Sequence, residues 1–200
     1  MTVIGITGPS GAGKGALSRI MADKYGFIVL NADEIYHDLV SAPSECLDEI
    51  REYFGDAVIS PDRSLDRRAL SGLVFGDQNQ EKLEHLNMLT HKHVVKKIEE
   101  LIASYEGKVP ACIIDAPLLI EAGICPRCDF TVCVIADKNI RVDRIVKRDG
   151  ISHDAAIKRI DSQKSDDFYV SNTDYCITNN QDIEAVYSSI CKILSERRVI

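Results

Sequence analysis

No apolar run in the chain approaches the roughly 20 residues that a membrane-crossing helix needs, so the sequence predicts no membrane partner. Net positive charge is missing too. The 24 Lys and Arg are outnumbered by 31 Asp and Glu, for a formal charge of −7. That balance argues against a general nucleic-acid binder, and an anionic small substrate must be met by local arginines and lysines. A leader is not evident, since Met1 runs directly into a β-branched strand pattern, and the expectation is a cytoplasmic chain. Repeats, low-complexity tracts and an interdomain linker are absent, so 1–200 reads as a single domain with a sizeable core. Cysteines are present but odd in number, at seven, and Cys112, Cys133 and Cys176 fall inside strand-like runs. They read as buried thiols in a reducing compartment. Cys125-Pro126-Arg127-Cys128 lacks further ligands at zinc spacing and a thioredoxin-like context.

What is present begins at the N-terminus. Val3-Ile4-Gly5-Ile6-Thr7 is a short apolar strand, and Ala16–Ala22 has helical spacing. Between them Gly8-Pro9-Ser10-Gly11-Ala12-Gly13-Lys14 fits the G-x-x-x-x-G-K frame of a phosphate-binding loop. Such a loop turns successive backbone N–H groups toward a polyphosphate at the positive end of the following helix. Lys14 is expected to bridge the β- and γ-phosphates. The next position departs from the pattern. A Ser or Thr hydroxyl there ligates Mg²⁺, and this chain has Gly15 followed by Ala16. The wording is similar to the loop of adenylate and cytidylate kinases, which also place Gly after the Lys but follow it with Thr. Magnesium is left to water and to a carboxylate, Asp33 or Asp115.

Further strands are expected at Phe27–Leu30, Ala111–Asp115, Phe130–Ile135 and Tyr175–Thr178. With helices between them they imply a three-layer α/β fold on a five-stranded parallel sheet. Ligands bind beyond the carboxyl ends of such strands, which is where Asp33 and Asp115 fall. Asp33 reads as a base, a magnesium ligand, or the N-cap of the helix Glu34–Val40. Asp115 reads as a Walker-B-like carboxylate or another helix cap. Residues 37–107 are expected to form a helical insertion, with helices at Glu45–Phe54, Asp66–Phe75 and Glu81–Tyr105. Its His91 and His93 do not share a helix face. Arg141, Arg144 and Arg148 recur along one face of a later helix, and Ser152 can cap the next. The pair, at 138–165, suits a lid whose arginines grip phosphate oxygens. Ile183–Arg197 closes the chain.

Several separated segments resemble one family, dephospho-coenzyme A kinase. They are the phosphate loop, Asn31-Ala32-Asp33, Leu65-Asp66-Arg67-Arg68-Ala69-Leu70, Asp115-Ala116-Pro117-Leu118-Leu119-Ile120-Glu121, Lys147-Arg148-Asp149-Gly150 and Arg159-Ile160-Asp161-Ser162-Gln163. The resemblance implies a P-loop kinase fold and ATP with Mg²⁺. It further implies phosphoryl transfer to the ribose 3′-hydroxyl of dephospho-coenzyme A. It assigns catalysis to Asp33, Lys14 and Arg148. Phosphate binding falls to Gly8, Ser10, Gly11, Ala12, Gly13, Lys14, Gly15, Ala16 and Arg144, and acceptor binding to Asp33, Asp66, Arg67, Asp115 and Leu118. The family usually has Ser or Thr at 15, Asp at 31 and Pro at 92, where this chain has Gly15, Asn31 and Lys92. Lys14-Gly15 keeps a nucleoside monophosphate kinase in view, and the missing loop hydroxyl keeps a nucleotide-binding regulatory protein without turnover. Lys14→Ala is expected to weaken ATP binding and nearly abolish transfer, because the phosphates lose their fixed cation. Calorimetry and turnover check this; unchanged turnover in a folded variant removes the loop from the mechanism.

Overall fold

The computed structural model describes residues 1–75, 79–180 and 183–200. The elements run, in order, β1 Thr2–Thr7, α1 Lys14–Tyr25, β2 Ile28–Asn31, α2 Ala32–Ser41, α3 Glu45–Phe54 and α4 Arg67–Val74. After these come α5 Gln80–Tyr105, β3 Ala111–Asp115, β4 Phe130–Ile135, α6 Lys138–Asp149, α7 His153–Asp161, α8 Asp166–Ser171, β5 Tyr175–Thr178 and α9 Ile183–Glu196. The strands form one five-stranded sheet of order β2-β3-β1-β4-β5. Pairing of β1 with β3, β1 with β4 and β4 with β5 is parallel. The chain divides into two compact units, Asn31–Ala103 and the remainder, Met1–Leu30 with Ser104–Ile200.

The larger unit holds the sheet. Its central strands read as nearly unbroken apolar runs because both faces are covered; every residue of β3 is buried. On one face Ile4, Ile6, Ile113, Val132, Val134 and Ile177 meet Leu17 and Met21 of α1 and Val186, Ile190 and Leu194 of α9. On the other, Gly5 lies under Leu119, Cys128 and Thr131, so closely that a Cβ there would meet Leu119 Cδ2 at 2.8 Å. Cys112 and Cys133 are buried, but Cys176 is exposed. The expectation of three buried strand thiols therefore fails at Cys176, because β5 is an edge strand and Cys176 lies outside its covered face. Cys125 and Cys128 lie in a 3₁₀ turn, Cys125–Arg127 and its cap. Burial pushes the Cys128 thiol up to about 12 and moves Cys125 the same way, so neither is a thiolate at neutral pH. The short α8 carries too few residues to show a helical period and was not anticipated.

The smaller unit is helical, with a core of Val40, Leu47, Ile50, Val58, Leu70, Val74, Leu86 and Leu89. Ser44 caps α3 by accepting from Leu47 N, and Asp66 caps α4 by accepting from Arg68 N and Ala69 N. Lys92 lies inside α5, where a proline would remove a helical hydrogen bond. It donates instead to both carboxylate oxygens of Glu49 in α3, each at 2.7 Å.

The glycine at the end of β1 is fixed by packing. A Cβ on Gly8 would lie 2.1 Å from the Val134 carbonyl oxygen, and its φ of +132° is closed to most side chains. Gly8→Ala is expected to cost roughly 2–5 kcal/mol, overpacking and torsional strain together. Gly107→Ala, where a Cβ meets open space, is expected to cost only about 1 kcal/mol, through its positive φ. Urea unfolding of the two variants checks the contrast; equal losses would contradict it.

Candidate active site

The loop between β1 and α1 is shaped from behind. Arg141, buried in α6, donates from Nε to the Ser10 carbonyl at 2.9 Å and from Nη2 to Gln163 Oε1 at 3.0 Å. The same Gln163 oxygen accepts from the Ser10 backbone N–H at 3.0 Å. One turn along α6, Arg144 donates to the carbonyls of Gly11 and Ala12 at 3.3 and 3.4 Å and to Asn179 Oδ1 at 3.2 Å. Asn179, at the end of β5 and buried, donates from Nδ2 to the Ala12 carbonyl at 2.7 Å. That amide lies so close to Gly13, whose φ is +104°, that a Cβ there would meet Nδ2 at 2.2 Å. A bend held this tightly at positive φ admits only glycine. The carbonyl oxygens are drawn backward onto cations and an amide.

Lys14 is the first residue of α1. Its ammonium donates to the Gly8 carbonyl at 2.6 Å and to Pro9 at 3.3 Å, folding over the loop's own backbone. Gly15 and Ala16 are exposed in the same turn. Asp115 ends β3 directly beside β1, in register with Ile6, and Ala116 N–H donates to the Ile6 carbonyl. Asp115 is buried and accepts from the Ser18 hydroxyl at 2.9 Å. The segment after it is turns rather than helix, so Asp115 is no helix cap. Leu118, in those turns, is 47% exposed.

Arg148, at the end of α6, is exposed and makes a two-pronged contact with Asp149, at 2.7 and 2.9 Å. Arg159 of α7 reaches the same carboxylate. The hydrogen bond from Arg148 does most to hold the Asp149 carboxyl down at about 2; desolvation opposes it, and the hydrogen bond from Arg159 adds to it. The three arginines of α6 therefore divide. Arg141 and Arg144 brace the loop, whereas Arg148 is tied to an exposed acid in the helical pair.

In the smaller unit, Asp33 is exposed in the first turn of α2. The cap of that helix is Asn31, whose side chain accepts from Asp33 N and Glu34 N. The reading of Asp33 as the cap is therefore wrong: the strand runs to Asn31, and the helix starts one residue later. Asp66 is occupied as the α4 cap, and Arg67 is exposed at the start of that helix. Ser18 and Asn179 were missed as site residues, and Gln163 was seen only as part of a motif. For Ser18 a signal existed, because it lies one helical turn past the position lacking a hydroxyl. For Asn179 nothing local distinguished it from a turn residue.

Comparison with known proteins adds to this geometry. A family model for dephospho-CoA kinase matches residues 2–185. A dephospho-CoA kinase of Fusobacterium nucleatum is 36% identical over 188 residues, 94% of each chain. Among solved structures, a protein of Thermus thermophilus is 28% identical with a TM-score of 0.80, over 98% of this chain and 97% of that one. A dephospho-CoA kinase of Campylobacter jejuni shares the fold, with a TM-score of 0.67 at 24% identity over 97% and 96% of the two chains. A glycine-rich loop between the central strand and its helix, on a five-stranded parallel sheet, defines a P-loop kinase. Within that class the chain belongs to the dephospho-CoA kinase family.

Two measurements follow from the site. Asn179→Ala removes the amide behind Gly13 and is expected to cost roughly 1–3 kcal/mol, as loss of a buried partner does, and to weaken ATP binding. A loss under about 0.5 kcal/mol in urea unfolding, small for such a deletion, would contradict the bracing role. Because the Asp149 pKa is depressed on folding, its contribution is present above the unfolded value of ~3.9. It is lost as pH falls through about 2. Asp149→Asn should therefore lower Tm at neutral pH, and the gap from wild type should close between pH ~4 and ~2. A gap that stays constant across that window would contradict the pairing.

Proposed function

We propose that this chain transfers the γ-phosphoryl group of ATP to the ribose 3′-hydroxyl of dephospho-CoA, giving CoA and ADP. The observation that carries the reading is the braced loop with Lys14 at its mouth and Asp115 at its edge, in a chain matched by the family over residues 2–185. The acceptor oxygen forms its bond to the γ-phosphorus as the bond to the β–γ bridging oxygen breaks. The transition state is loose and its charge is spread over the phosphoryl oxygens, so positioning and fixed positive charge supply most of the rate.

In this reading the loop Gly8–Gly13, with Ser10, Gly11 and Ala12, and the first turn of α1 through Gly15 and Ala16 hold the donor phosphates. Lys14 leaves the Gly8 carbonyl for the β- and γ-phosphates. Arg148 exchanges Asp149 for phosphate oxygens as the far end of the helical pair at 138–165, around the turn between α6 and α7, closes as a lid, while Arg141 and Arg144 keep the near end of α6 on the loop. Closure excludes water and limits loss of ATP to hydrolysis. Asp33 accepts the hydroxyl proton, and the helical insertion at 37–107, with Asp66 and Arg67, serves the acceptor together with Asp115 and Leu118.

Among the described residues no group of three or more His, Cys, Asp or Glu could hold a metal ion. The donor set fits magnesium arriving with the nucleotide, since Mg²⁺ is held through one or two carboxylates, water and substrate phosphates rather than a protein cage. Asp115 is the carboxylate at the loop that would hold it, with Asp33 as the other candidate, and magnesium supplies charge neutralisation at the phosphates. The partners are small molecules, in keeping with a net charge of −7. Among the described residues no helix is long and apolar enough to cross a membrane. Seven free cysteines suit the reducing cytoplasm.

Turnover with dephospho-CoA, CMP, AMP and UMP as acceptors tests the assignment. Highest kcat/KM on dephospho-CoA is expected, and a preference for a nucleoside monophosphate would overturn it. Asp33→Asn leaves the Asn31 cap and the loop untouched. It is expected to lower kcat by roughly 10²–10⁴, the usual worth of a general base, with ATP affinity unchanged. A kcat within about threefold of wild type, too small for loss of a base, would refute the role of Asp33.

A further inference from the structure

The loop lacks the hydroxyl that ordinarily follows its lysine, yet a hydroxyl stands one turn deeper on the same face of α1. Positions 15 and 18 are three apart in a helix and so lie one above the other. Asp115 faces both. A Cβ built on Gly15 would lie 3.9 Å from Asp115 Oδ2, and Ser18 Oγ donates to that same oxygen at 2.9 Å. Ser18 is 1% exposed and Asp115 8%, so water does little to orient this carboxylate and the protein must. Ser18 Oγ also lies 3.2 Å from the Lys14 carbonyl, the back-bond common for serine inside a helix. A hydroxyl has one proton. The carboxylate is the closer and the charged acceptor, and charge-assisted bonds are the stronger.

We infer that Ser18 is a positioning residue for magnesium. It fixes the Asp115 carboxylate at the loop and so replaces, through Asp115, part of what a hydroxyl on residue 15 does directly. Ser18 itself touches neither metal nor nucleotide. The inference rests on the proposed ATP- and Mg²⁺-dependent function and deepens it at one point. Groups that orient a metal's own ligands typically account for 10–100-fold in metal affinity. The geometry also states what would substitute for Ser18. Gly15 lies in helical backbone without a positive φ, and 3.9 Å is ordinary contact, so a serine is accommodated there with its hydroxyl toward Asp115.

The experiment is calorimetric titration of ATP, in excess Mg²⁺ and in EDTA, into wild type, Ser18→Ala, Gly15→Ser and the double variant. The ratio of the two affinities isolates the contribution of the metal without any turnover. Ser18→Ala is expected to keep its affinity in EDTA, because the loop is intact, and to lose roughly tenfold of the Mg²⁺-dependent gain. The double variant is expected to recover that gain. Gly15→Ser alone, which retains Ser18 and so needs no help in folding, is expected to exceed wild type. Equal ratios in wild type and Ser18→Ala overturn the inference. So does a loss of the same size in EDTA and in Mg²⁺, which marks a merely structural serine, and so does a double variant no better than Ser18→Ala. Wild type that binds no ATP in either medium overturns the proposed function as a whole, and the two failures are thereby told apart.

Discussion

The close approach of the loop backbone to the elements behind it is the constraint on which the rest depends. At Gly8 the Val134 carbonyl, and at Gly13 the Asn179 amide, occupy the space a side chain would need. Both residues have positive φ. Neither close packing nor torsion alone would fix the loop, but together they leave one shape. In it, carbonyls of Ser10, Gly11 and Ala12 are drawn to Arg141, Arg144 and Asn179. Peptide carbonyls pulled one way turn neighbouring N–H groups the other, which is how a nest for an anion arises. The loop is pre-organised, so little ordering entropy need be spent when phosphate arrives.

That arrangement also reconciles a net charge of −7 with an anionic ligand. The arginines nearest the loop are not waiting in solvent; two of them are committed to its backbone. Arg148 is held by an acid that is itself paired to Arg159. Its charge is local and exchangeable, and an exposed pair of this kind contributes only modestly to stability. Positive charge is kept near the loop at small cost, while the chain as a whole stays acidic.

The sequence read the strands and the phosphate loop well, because both depend on local pattern. Central strands such as Ala111–Asp115 are buried on both faces and appear as apolar runs, and the glycine spacing with Lys14 is short-range. The family resemblance covered nearly the whole chain for the same reason. Long-range partners left less trace. Gln163 meets Ser10 and Asn179 meets Ala12 across more than 150 positions, and only folding brings them together. At Asn31 the error was one of register. Two short polar residues, Asn31 and Asp33, both suit a cap, and which one caps depends on where β2 ends. Cys176 shows the same limit, since an apolar strand does not reveal from its own residues that it lies at the sheet edge.

In the proposed reaction this loop delivers a phosphoryl group to one particular hydroxyl. Phosphorus NMR of the product formed from ATP, Mg²⁺ and dephospho-CoA tests it most directly. The expected products are ADP and, in equal amount, a new phosphomonoester coupled to the ribose H3′. ADP accompanied only by inorganic phosphate, or a phosphate placed at any other position of the acceptor, would contradict it.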